Sequence, residues 1–123
     1  MRKTEWRGQE CPPTYLTRNN GGQLQLIIYT DVRQETGENE QVTYVATEIT
    51  MPIGIVDYGS IVSAITDAHY SFDQMQAIVN NYLIQEHLDE FQEMQDYRLY
   101  AKEIAKMIVE DITEEREVSD GQE

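Results

Sequence analysis

Residues 63–83 read SAITDAHYSFDQMQAIVNNYL, two apolar helical patterns separated by His69-Tyr70-Ser71-Phe72-Asp73. The break decides the fold, because it marks either a reactive insertion or the boundary between two helices. Ser71-Phe72-Asp73-Gln74 fits the capping box, in which a Ser hydroxyl accepts from the third helical amide and the Gln side chain reaches back. Tyr70 and Met75 hold the hydrophobic-staple positions on either side, and Asp73 suits the positive end of a helix dipole. A new helix therefore starts after Ser71. Only His69 is left without a conformational role.

Working outward, Asp57 is a suitable N-cap for the preceding helix, with Val56 and Ile61 placed as its staple. Tyr58, Ile61, Val62 and Ile65 then fall at i, i+3, i+4 and i+7, one stripe for burial. The helix after the break is expected to bury Phe72, Met75, Ile78, Val79 and Tyr82 and to end near Leu83 to Gln85. A third helix is expected over about residues 88–113. Its seam is Phe91, Met94, Tyr97, Ala101, Ile104 and Ile108, and Lys102 and Lys106 sit where cations complement the dipole.

The first half has a different period. In QLQLIIYTDV, Leu24, Leu26 and Ile28 alternate with Ile27 and Tyr29, and VTYVATEIT over 42–50 is rich in β-branched and aromatic residues. The stretch RQETGENEQ between them is polar enough to be a long acidic hairpin loop. Thr14 to Arg18 reads as a short strand, and Asn19-Asn20-Gly21-Gly22 as the turn after it. The expected fold is α+β: a small antiparallel meander of two to three strands followed by three α-helices. Residues 1–13 read as a basic extended arm, 14–113 as a single domain, and 114–123 as an acidic disordered tail.

A chain of 123 residues with 40% apolar content can build one core. The net charge is −14, unevenly spread. Arg2, Lys3, Arg7 and Arg18 face only Glu5 and Glu10 in the first eighteen residues, whereas residues 34–97 carry twelve Asp and Glu and no Lys or Arg. Such a field repels phosphate backbones and anionic lipid and favours basic partners, so neither direct nucleic-acid binding nor membrane attachment is expected. Cys11 is alone, which rules out an internal disulfide, and the charged N-terminus has no apolar signal region. A cytoplasmic protein is expected.

Little of this looks like chemistry. His87 and Glu90 form H-x-x-E, a spacing for two metal ligands on a helix, but a site needs one or two more. His69, Ser71 and Asp73 invite thoughts of a nucleophile and its base, yet a capping hydroxyl is committed to a backbone amide. Gly21-Gly22 is followed by neither Lys-Ser/Thr nor a helix, so it is no phosphate loop. No catalytic residue, metal or cofactor is expected. Partner contacts are expected instead at Arg2, Lys3, Trp6 and Arg7 in the arm and at Tyr29, Tyr44, Tyr97 and Tyr100.

The helical region also carries a likeness. Tyr58, Ile61-Val62, Ala64-Ile65, Tyr70-Ser71-x-Asp73, Ala77-Ile78 and Asn80-Asn81-Tyr82-Leu83 resemble short proteins encoded in prophages and temperate phages. The resemblance continues through Glu90-Phe91, Glu93-Met94-Gln95, Arg98, Ala101-Lys102 and Ala105, covering about residues 58–106. Genes of that family lie beside tail or tail-fibre genes. The resemblance implies a structural or assembly role near the tail, with other phage virion or tail proteins or a second copy of the chain as partners. It places the protein in the bacterial host cytoplasm during assembly, or in the virion, and it brings no catalytic residues.

Two further function classes compete with that reading. The acidic stretch suits a DNA mimic that occupies a host DNA-processing protein, provided its carboxylates form rows spaced like phosphates. An enzyme would need a pocket joining His69 or His87 to other polar groups, and ranks lowest.

Overall fold

A computed structural model describes residues 2–52 and 57–120, with side chains up to residue 112. The fold is α+β, with four strands followed by three helices. The chain divides into two compact units, Met1–Val56 and Asp57–Glu123.

The first unit is one antiparallel sheet of β1 (Arg2–Gly8), β2 (Tyr15–Asn20), β3 (Gln23–Thr36) and β4 (Val42–Pro52), in the order β1-β4-β3-β2. The meander β2-β3-β4 follows the alternation of the sequence. Gly21 and Gly22 join β2 to β3 with φ of 64° and 88°, the paired left-handed residues that a two-residue hairpin needs.

The strand count corrects the expectation of two to three. Residues 2–8 are no free arm; they pair with β4 from Arg2↔Thr50 to Gly8↔Tyr44. Thr4, Trp6 and Gly8 are half-buried and alternate with exposed Lys3, Glu5 and Arg7, as suits an edge strand that charge protects from pairing further. The acidic loop is also shorter than expected. Arg33–Thr36 belong to β3 and pair as far as Thr36↔Val42, leaving only residues 37–41 as the turn.

Their charges are used in pairs. Arg7 lies 3.4 Å from Glu5 and 3.0 Å from Glu35, while Arg33 lies 3.2 Å from Glu5. This exposed network links β1 to β3 across β4, and Glu35 and Glu5 together hold the Arg7 guanidinium above its ordinary basicity. Just before it, Asp31 and Val32 both oppose Ala46 in a bulge, and Asp31 takes the left-handed conformation (φ 54°).

Both faces of the sheet hold buried side chains. Ile27, Tyr29 and Ala46 cluster on one, with Trp6 and Leu16 packed against them. Leu26, Ile28, Val45, Ile49 and Met51 alternate with these and are also buried.

The second unit contains α1 (Tyr58–His69), α2 (Phe72–Leu83) and α3 (Leu88–Asp120). Asp57 caps α1 by accepting from the Ser60 amide at 2.7 Å. The expected staple partner Val56 lies outside the described residues. Ser71 and Gln74 form both arms of the capping box, at 3.1 and 2.7 Å.

Ile61 and Ile65 of the α1 stripe are buried, as are Met94, Ala101, Ile104 and Ile108 of the α3 seam. Thr66 is buried too, its hydroxyl donating to the Val62 carbonyl at 2.8 Å. The expected disordered tail is corrected in part: α3 continues through it to Asp120, and residues 121–123 lie outside the described ones. No described helix is long and apolar enough to cross a membrane.

Candidate interaction surfaces

Two surfaces stand out, one in each unit. The first lies on the sheet face that carries Trp6. Residues directly opposite in an antiparallel ladder share a face, so Arg2 opposite Thr50, Thr4 opposite Glu48 and Trp6 opposite Ala46 all project together. Across the sheet, Tyr29 opposite Glu48 and Arg18 opposite Gln25 join them.

One end of this face is aromatic. The Trp6 ring meets Tyr29 edge-on, with centroids 5.5 Å apart, a contact worth about 0.5–1.5 kcal/mol beyond its buried area. The indole reaches back along its own strand over Gly8, where an added Cβ would lie 2.5 Å from the ring. That residue therefore has to be glycine for Trp6 to lie flat.

The other end is polar and concave. A cleft of about 410 Å³ is lined by Arg2, Arg18, Gln25, Glu48 and Thr50, among others. Burial, together with the charge of Glu48 and a hydrogen bond to it, raises the Tyr29 hydroxyl above the ordinary 10.0. The phenol therefore keeps its proton beside the Glu48 carboxylate. Arg18 acts weakly against that shift, which places its charge close by.

The second surface is α2. Phe72, Met75, Ile78, Val79 and Tyr82 are the residues expected to be buried, and none is. Phe72 is 68% exposed and Leu83 70%, with Val79 exposed on the same stripe. Met75, Ile78 and Tyr82 lie further round the helix, where Tyr82 stacks on Phe91 of α3 at 3.9 Å. Met75 and Ile78 are only half-buried. The apolar face is thus wider than its neighbour can cover.

The connection to α3 continues the patch. Ile84 and Leu88 are exposed, and between them Gln85 and His87 take left-handed φ values of 61° and 49°. Such conformations are costly for residues other than glycine and concentrate where a segment must hold a particular shape. His87 therefore precedes α3 rather than sharing a helix face with Glu90, so H-x-x-E does not present two ligands side by side. Among the described residues, no three His, Cys, Asp or Glu side chains gather to hold a metal ion.

The expected contact residues thus fall in three places. Arg2, Trp6, Tyr29 and Tyr44 share the sheet face just described, whereas Lys3 and Arg7 project from the opposite face. Tyr97 and Tyr100 are in the helical unit, where Tyr97 stacks on His69 at 3.9 Å and approaches Tyr100 at 5.4 Å. Tyr70 meets both His69 and Tyr97 edge-on. His69 thereby acquires the structural role that local sequence did not supply. Among the residues not singled out beforehand, Arg18 in the cleft and Leu83, Ile84 and Leu88 beside α2 are the main additions. In comparisons with known proteins, no family model, curated relative or solved structure matches the chain.

Proposed function

We propose that this chain is a non-enzymatic contact protein that acts by docking a partner on α2. The observation that carries the reading is the open apolar stripe of Phe72, Val79 and Leu83, extended by Ile84 and Leu88. A contiguous exposed apolar patch on a small protein marks an interaction site, whereas scattered single residues do not. The surrounding charge narrows the partner. Beyond residue 56 the chain has sixteen Asp and Glu against four Lys and Arg, and none of the four precedes Arg98. The partner surface is therefore apolar at its centre and rimmed by Lys and Arg.

The resemblance over residues 58–106 motivates the setting we propose: assembly of a phage, beside tail proteins, in the host cytoplasm. A tagged copy expressed during prophage induction should retain tail proteins, and Leu83→Glu should release them while the helical circular dichroism is kept. Retention of the same proteins by both forms would overturn the reading.

A second reading rests on the same sixteen carboxylates, as a DNA mimic that occupies a host DNA-processing protein. Capture of such a protein that duplex DNA displaces, and that Leu83→Glu leaves unchanged, would favour it over apolar docking.

A further inference from the structure

Of the five Lys and Arg in the first 56 residues, Arg7 and Arg33 are neutralised by Glu5 and Glu35. Arg2 and Arg18 form no ion pair among the described residues. Both line the cleft of about 410 Å³ on the sheet face. In a protein of net charge −14, two guanidinium groups at one concavity that holds a single carboxylate call for a counter-charge from outside.

The register gives the span. Arg2 is on one outer strand and Arg18 on the other, with β4 and β3 between them. Three strand spacings of ~4.8 Å and a two-residue offset of about 7 Å along the strands put their backbones about 16 Å apart, so the side chains must lean inward from opposite walls. The floor between them is polar, with Thr50 and Gln25 offering hydroxyl and amide groups. Glu48 is the one acidic residue in the lining, a single carboxylate against the two guanidinium groups of Arg2 and Arg18. The cleft therefore keeps an excess of positive charge.

We infer that this cleft binds a small organic anion carrying two oxyanion groups, phosphate or carboxylate, one held by Arg2 and the other by Arg18. A guanidinium matches either group through paired N–H donors, which a lysine ammonium does not reproduce. The volume also speaks for more than one group. At about 30 Å³ per water, a single phosphate would leave most of the cleft filled with solvent. The site is independent of α2 and would survive failure of the docking proposal.

The test is titration of the full chain with pyrophosphate and with succinate, and with inorganic phosphate and acetate as one-group counterparts, by calorimetry at low and physiological salt. Trp6 is the chain's single tryptophan and lies on the same sheet face, so its fluorescence gives a second readout. A saturable site is expected that prefers pyrophosphate or succinate to its one-group counterpart. Arg2→Gln and Arg18→Gln should each weaken binding about tenfold to a hundredfold, with partial recovery in Arg18→Lys. Lys106→Gln should bind as the parent does. Preference for pyrophosphate alone would assign phosphate as the ligand group, and preference for succinate alone would assign carboxylate. Absence of saturation at millimolar probe, equal affinity for one-group and two-group anions, or indifference to both arginine substitutions would overturn the inference.

Discussion

α1 and α2 have the same length, twelve residues, and each begins with a side chain capping its third amide. Their fates differ. α1 buries Ile61, Ala64, Ile65, Thr66 and Ala68, while α2 buries nothing. The composition of the facing surfaces supplies a reason. Ala64 and Ala68 on α1, like Ala101 and Ala105 on α3, let backbones approach closely, and α1 packs more extensively on α3 than α2 does. α2 instead carries large side chains over an arc too wide for one neighbour. Caps and a 3.6-residue period specify that a helix forms; they do not specify what covers it.

The sharpest way to break this contrast is to remove matched amounts of side chain from each helix. Ile65→Ala, at a fully buried position, should cost about 2–5 kcal/mol in urea unfolding. A loss below about 1 kcal/mol would mean that α1 is no better packed than α2. Next in size is the boundary between the two. Ser71→Ala leaves the Gln74 amide without its side-chain acceptor and should cost about 1 kcal/mol, with partner binding retained. Loss of binding with the fold intact would turn the capping box into a contact site. The smallest effect belongs to the bare stripe. Leu83→Ala should change stability by no more than about 0.5 kcal/mol, and a larger cost would show that Leu83 packs within the unit.

A separate handle compares the aromatic and polar ends of the sheet face. The raised Tyr29 hydroxyl means that the folded state holds its proton above the pH at which the unfolded chain releases it. That stability is fully present below pH 10 and is lost as pH rises through the folded value. Tyr29→Phe should therefore flatten the alkaline decline in melting temperature. A decline as steep as in the parent would show that Tyr29 is not its source.

Much of the fold was legible in local sequence. The caps at Asp57 and Ser71, the Gly21-Gly22 hairpin and the α3 seam depend on contacts within a few residues, so short patterns record them. What escaped depends on distant pairing. Arg33 and Glu35 look like loop residues until Glu5 and Arg7 are placed beside them by β1. Trp6 looks like an anchor in a free arm until Tyr29 lies against it. The cleft was illegible for the same reason, since Arg2 and Arg18 share a face only through the register of four strands. The exposure of α2 escapes in the opposite sense, because apolar periodicity specifies a helix face and not what covers it.

The place of β1 at the sheet edge bears on the order in which the molecule assembles. β2, β3 and β4 are joined by short turns and can pair as soon as they are made, whereas residues 2–8 must wait for residues 44–50. Closure of that long loop costs entropy before any contact rewards it. Pulsed hydrogen exchange during refolding should accordingly protect β3 amides before those of β1. The two arginines of the cleft would then come to face each other only in the final step, and the cleft would exist only in molecules that have finished folding.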